Sequence, residues 1–248
     1  MQQPVEFHNF FSDIVDPMPA DKSAMGGLPT AGFQYCEALT AASAHGYYVF
    51  PPCDATIRWD GDRFEMQMTD GWQRFSQVTL SEESLASWHR AAPPEHQDRL
   101  PPFLQRFFIP DTIQVFTGLF VTAAPGWAIK VRPIANVRGN SRFLIYEAIV
   151  EADLFKPVPL FVNIKALSID AVFDFERFTP FLQIEPVQKD AYRKALAKTV
   201  HPGREDDASQ FPWDGLKETT RIFSGDASSL ELGVYKKRVR AAQRSNDA

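Results

Sequence analysis

Between Asp111 and Val187 the chain is a string of short apolar segments, each closed by a turn signal. They read TIQVFTGLFVTAA, WAIKVRPIA, RFLIYEAIVEA, VPLFVNIKAL, DAVFDF and FLQIEPV. The breaks fall at Pro125-Gly126, Arg138 to Asn140 and Lys156 to Pro159. Short strand-like runs with such punctuation predict a compact sandwich or barrel. The expected class is α+β, mainly β: a barrel-like core of short strands with peripheral helices.

The flanks supply the helices and loops. DPMPADKSAMGGLPTAG is loop-forming, so residues 1–30 are expected to form an N-terminal arm that docks through Phe7, Phe10, Phe11 and Ile14. FQYCEALTAASAHGYY reads as one helix, with Phe33, Cys36, Leu39 and Ala42 or Ser43 at helical spacing and Gly46 as its stop. The Asp60 to Asp62 string DGD predicts a hairpin turn. SEESLASWHR predicts a short helix capped by Ser81, at the head of a helical insertion near 81–108. The β-rich core is expected over 31–190. A helical extension is expected over 191–248, ending in a basic helix with Lys236, Lys237, Arg238, Arg240 and Arg244.

A 248-residue chain that is 44% hydrophobic can bury one sizeable core. The net charge of −5 gives no basic excess for nucleic acid. No apolar run approaches the ~20 residues of a membrane helix, and the N-terminus has no signal-peptide pattern. Cys36 and Cys53 match no zinc or redox spacing. These features predict a soluble, cytoplasmic protein with reduced thiols, no nucleic-acid or membrane partner and no cofactor.

The acids Glu147, Glu151 and Asp153 are the first candidates for chemistry. Alternation along a strand puts them on one face with Ile149. Crowded carboxylates raise one another's pKa and so make general bases. Arg132, if it lies opposite, supplies a bidentate anchor for an anionic substrate. The same pattern also suits an edge strand guarded by charge. Asn136, Asn163 and Gln183 interrupt apolar strings; they either tie down backbone or recognise substrate. Trp127 is a core residue or a stacking platform. The five histidines are scattered. His96 and Asp98 have the spacing of half an iron(II) facial triad, with His201 as a distant third ligand.

Two resemblances extend this reading. AHGYYVFPPCDATIRWDG (44–61), APGWAIKVRPIAN (124–136), YEAIVEAD (146–153), PLFVNIK (159–165) and FTPFLQIEPV (178–187) resemble an uncharacterised bacterial family of unknown function. The order GYY, PGWAIKVRPIA, AIVEADL, LFVNIK, FLQIEPV is similar to that of the trimeric dUTPases and dCTP deaminases. That likeness implies a β-clip fold, trimers with shared sites, and a water-positioning acid at Glu151. The chain departs from it where an arginine-serine-serine string is replaced by Arg132-Pro133-Ile134, and where YKKRVRAAQR replaces a glycine-rich lid. Both departures argue against triphosphate hydrolysis.

The sequence therefore leads to three expectations. The first is a metal-free enzyme acting on a small polar or anionic metabolite, with Glu151, Asp153 and Glu147 catalytic and Arg132, Asn136, Asn163, Gln183 and Trp127 binding substrate. The second is a non-catalytic module for a small-molecule ligand or a protein. The third is an iron(II)-dependent oxygenase. A homo-oligomer, dimer or trimer, is open to all three.

Overall fold

A computed structural model describes residues 3–139, 141–193, 237, 239–242 and 244. In chain order its first elements are β1 (Val5–His8), β2 (Met18–Pro19), α1 (Thr30–Tyr35), α2 (Glu37–Ala44) and β3 (Tyr47–Val49). Next come β4 (Ala55–Trp59), β5 (Phe64–Met68), β6 (Gly71–Arg74), β7 (Gln77–Val78) and α3 (Glu82–Ala91). A 3-10 turn (Pro94–Arg99) leads to β8 (Leu104–Arg106), β9 (Thr112–Ala123), β10 (Trp127–Arg132), β11 (Phe143–Ile145) and β12 (Ala148–Val150). The last are β13 (Val158–Ala166), β14 (Ala171–Phe175), β15 (Leu182–Gln188) and α4 (Asp190–Arg193). The class is α+β and mainly β, as the short punctuated strings predict.

The strands form three antiparallel sheets. One runs β11-β13-β9-β8-β7, with β1 also on β9; the second runs β12-β10-β15-β3-β2; the third runs β14-β4-β5-β6. Their inner faces share one core containing Ile57, Phe103, Phe116, Leu119, Ile129, Leu160, Leu182 and Ile184, all buried. Strand β9 is its axis. Only Gln114 and Thr122 of its twelve residues are not buried, which is why its sequence reads as a continuous apolar run and not as alternation.

Residues 3–30 contribute strands to two of these sheets. β1 pairs with residues 120–123 of β9, and β2 pairs with β3. Phe11 and Ile14 are buried, and Ile14 lies against the Gly118 backbone, whose φ is +82°. A Cβ at Gly118 would fall 2.2 Å from Ile14 Cδ1, so the missing side chain is the seat for Ile14. The sequence carried no strand pattern there because β1 and β2 are too short to show a period.

Local signals hold at several turns. Ser81 Oγ accepts from Ser84 N at 3.0 Å and caps α3. Asp60 accepts from the amides of Asp62 and Arg63, both at 2.7 Å, and closes the β4–β5 hairpin. The helix expected from Phe33 onward breaks at Cys36, whose backbone is extended. Its apolar stripe faces outward: Phe33 is 41% and Leu39 37% exposed, while Glu37, Thr40 and Ser43 are buried. Polar anchors on the body, described below, set that orientation. Of the C-terminal helical extension, only α4 and residues 237, 239–242 and 244 fall within the described residues. There Arg240 reaches Glu37 at 3.4 Å.

Candidate functional site

Strand β10 is apolar toward the core through Ile129 and Val131 and charged on its other face through Lys130 and Arg132. Lys130 lies opposite Glu185 of β15 and Ile149 of β12. Glu147, just before β12, bonds Lys130 at 2.9 Å and approaches Arg132 at 3.9 Å. Glu185, nearly buried, holds Arg132 at 3.3 Å. Two cations and two carboxylates neutralise one another here, and Arg132 already has acid on both sides.

Glu151 and Asp153 belong to a different group. β12 is only three residues long, and the chain turns immediately after it. The register sets Ala148 against Val131 and Val150 against Ile129, so Glu151 lies at the far end of the strand pair from Arg132. Four extended residues separate Glu151 from Glu147, or ~13 Å. Lys189, buried at the end of β15, bonds Asp153 and reaches Glu151 at 3.3 Å. Tyr192 donates to Glu151 at 3.1 Å, and Gly126 N donates to Asp153 at 3.1 Å.

The three acids are therefore not one crowded group: Glu147 pairs with Lys130, while Glu151 and Asp153 share the Lys189 ammonium. The Lys189 ammonium, and after it the Gly126 amide, hold the Asp153 carboxyl below its ordinary value, against the opposing effect of burial. Arg132 stands opposite Glu147 and not Glu151.

The expected substrate-binding residues do not converge. Gln183 is fully buried and accepts from Ala135 N at 2.8 Å while donating to His45 O at 2.6 Å and Ala42 O at 3.2 Å. Asn136, at φ +61°, donates to Leu39 O at 3.2 Å and Ser43 Oγ at 2.9 Å. These two amides clamp the end of α2 to the body, which is why the polar face of that helix is the buried one. Trp127 packs against the core at the start of β10. Asn163 lies in another sheet, opposite Gln114, with its Oδ1 buried and unbonded. His96 and Asp98 sit in the 3-10 turn; His201 lies outside the described residues. Among the described residues, no three or more His, Cys, Asp or Glu side chains come together as a metal cluster.

A different site lies where the β5–β6 hairpin meets β8. A cavity of about 180 Å³ is lined by Arg63, Arg74 and Arg106 over Phe64, Phe75 and Ile113. Arg74 bonds Asp60 at 2.7 Å, and Arg63 bonds Asp62 at 3.3 Å. Glu65 is bonded by Arg58 at 2.5 Å and approached by Arg74 at 3.7 Å. Arg106 has no acidic partner among the described residues. The sequence reading missed this site; each arginine is followed by a phenylalanine, at 63–64, 74–75 and 106–107, but so are Arg142 and Arg177. In the first two, strand alternation turns the ring inward and the guanidinium outward.

No family model matches the chain, and no curated protein matches it. Solved structures do align over most of its length. A dUTPase mutant of Staphylococcus bacteriophage 80alpha bound to dUpNHpp aligns at TM-score 0.40 and 8% identity, covering 82% of this chain and 94% of that one. The dUTPase from phage phi11 of S. aureus aligns at 0.40 and 10%, covering 82% and 99%. Overlap this loose transfers no residue roles.

Proposed function

We propose that this protein binds a small anionic molecule and that the three-arginine cavity is its seat. The observation that carries the reading is Arg106, a guanidinium at the cavity with no carboxylate among the described residues to neutralise it. Arg58 and Arg74 already neutralise Glu65 and Asp60, so an incoming anion meets Arg106 without having to displace an acid. The buried Phe64 and Ile113 give the cavity an apolar floor, against which charge-assisted hydrogen bonds are stronger than in water. Its volume lies below the ~300–1,000 Å³ typical of drug-sized ligands, which suits inorganic phosphate, pyrophosphate or a short dicarboxylate.

The test is a thermal-shift series with phosphate, pyrophosphate and succinate on the native protein, Arg106→Ala and Lys130→Ala. An anion at ~100 times its dissociation constant adds roughly 2.7 kcal/mol of stability. The expected result is a shift that survives in Lys130→Ala and disappears in Arg106→Ala. Equal shifts in all three proteins, or none in any, would refute the site.

A second reading attaches to the Lys189 node, where an ammonium, a phenol and two carboxylates meet. Acid/base chemistry on a small polar metabolite would use Glu151 there, relayed through Tyr192. In that case Glu151→Gln abolishes turnover of a ligand found by the screen while leaving its binding intact. Unchanged turnover removes Glu151 from the reaction.

A further inference from the structure

A second cavity, of about 450 Å³, opens beside α3 and is walled by Phe10, Trp88, Pro93, Phe120 and Pro157. Its rings are held in place. Trp88 stacks on Phe120 at 5.5 Å and on Phe11 at 6.4 Å, and Phe10 meets Trp88 and Phe120 edge-on at 5.7 and 5.9 Å. Trp88 Nε1 donates to Gln97 O at 3.1 Å, and the Gln97 side chain donates to His89 O at 3.0 Å and Ala92 O at 3.3 Å. This latch folds the 3-10 turn back over the end of α3 and brings His96 and Arg99 to the cavity. Among the described residues Arg99 has only a loose ion pair, with Asp98 at 3.6 Å, both side chains being mostly exposed.

The volume is within the range of small-molecule sites, and an apolar wall with a few converging polar groups is their usual composition. A flat ring fits the aromatic wall by offset or edge packing. The polar groups decide the other end of the ligand. Arg99 is a permanent cation with a planar fork that matches a carboxylate, and His96 adds a ring N–H donor. We infer that the cavity is a binding site for an aromatic carboxylate, its ring against Trp88 and Phe10 and its carboxylate on Arg99. This site is separate from the three-arginine cavity and shares no residue with it.

The test uses 1-naphthoate and its neutral analogue 1-naphthylmethanol, titrated calorimetrically into the native protein, Arg99→Ala and Ala91→Phe. Ala91 lines the cavity and is exposed, so a phenyl group there fills space without touching the core; circular dichroism and a melt confirm that each variant is folded. Saturable naphthoate binding is expected, about fivefold weaker in Arg99→Ala, with the alcohol unaffected by that change. Ala91→Phe abolishes binding of both. Excess phosphate leaves naphthoate binding unchanged, which separates this outcome from that of the three-arginine cavity. No saturable binding, or an Arg99→Ala variant that loses acid and alcohol alike, overturns the inference. So does naphthoate that binds only by halving the mass in sedimentation, since the cavity is then a subunit contact.

Discussion

Replacing Gly46 with alanine tests how α2, β3 and β15 are joined. Gly46 has φ +88°, and an added Cβ would stand 2.0 Å from Ile184 O, 2.9 Å from Ile184 C and 3.1 Å from Glu185 Cα. All three are backbone atoms of β15, which is paired on both sides, so no flexible side chain can yield. The left-handed conformation alone costs alanine about 1–2 kcal/mol. Relieving the overlap requires β3 to move off β15, where Tyr47 faces Ile184, and pulls His45 O from the Gln183 amide. Losing two or three hydrogen bonds at about 1 kcal/mol each brings the total to about 3–5 kcal/mol. Gly71→Ala is the internal control: φ is +115° there, but nothing lies within 4 Å, so only the conformational cost of about 1–2 kcal/mol remains. Urea unfolding at constant m-value reads both. Equal losses in the two variants would show that the Ile184 contact carries no energy and would refute the reasoning.

Three further outcomes are expected. Gln183→Leu strands the Ala135 amide and the His45 carbonyl in the core and should lower unfolding stability by about 2–4 kcal/mol; a loss below ~1 kcal/mol in urea melts would mean that water replaces the amide. Burial, then Asp54 and Asp13, push the Cys53 thiol up to about 12, so thiolate-specific labelling of native protein at pH 8 should modify Cys36 and spare Cys53 until denaturant is added; labelling of both at equal rates contradicts that environment. Asp153 has a depressed carboxyl, so its contribution is present above the unfolded value of 3.8 and is lost as pH falls through the folded one. The stability gap between native protein and Asp153→Asn should therefore be flat near neutrality and close in acid; a gap that widens as pH falls reverses the sign.

The strands after Asp111 were legible because turn residues separate them, and because a strand buried on both faces, such as β9, needs no periodicity to be noticed. Ser81 and Asp60 were legible because their hydrogen bonds are local. The acids near Glu151 were not, because their partners are distant in sequence: Lys189 lies thirty-eight residues beyond Glu151, and nothing in EAIVEAD reveals it. A helix stripe of Phe33, Cys36 and Leu39 suggested an inward apolar face, yet Gln183 and Asn136, more than ninety residues away, turn the other face in. Asn163 and Gln183 look equivalent as amides in apolar strings but fall in different sheets. The fold brings Arg63-Phe64, Arg74-Phe75 and Arg106 to one cavity, and nothing local sets them apart from Arg142-Phe143 or Arg177-Phe178.

The pairing of β1 with β9 also sets a timetable for synthesis. Val5 to His8 find their partners at Phe120 to Ala123, so β1 has no strand to join until well over a hundred further residues have been made. At ~5–20 residues per second that wait lasts roughly 6 to 25 s. During it, Phe7, Phe10, Phe11 and Ile14 are apolar side chains without their β9 partner on a growing chain. This early segment is therefore among the last secured, and a chain stalled before β9 presents those side chains to whatever holds nascent proteins.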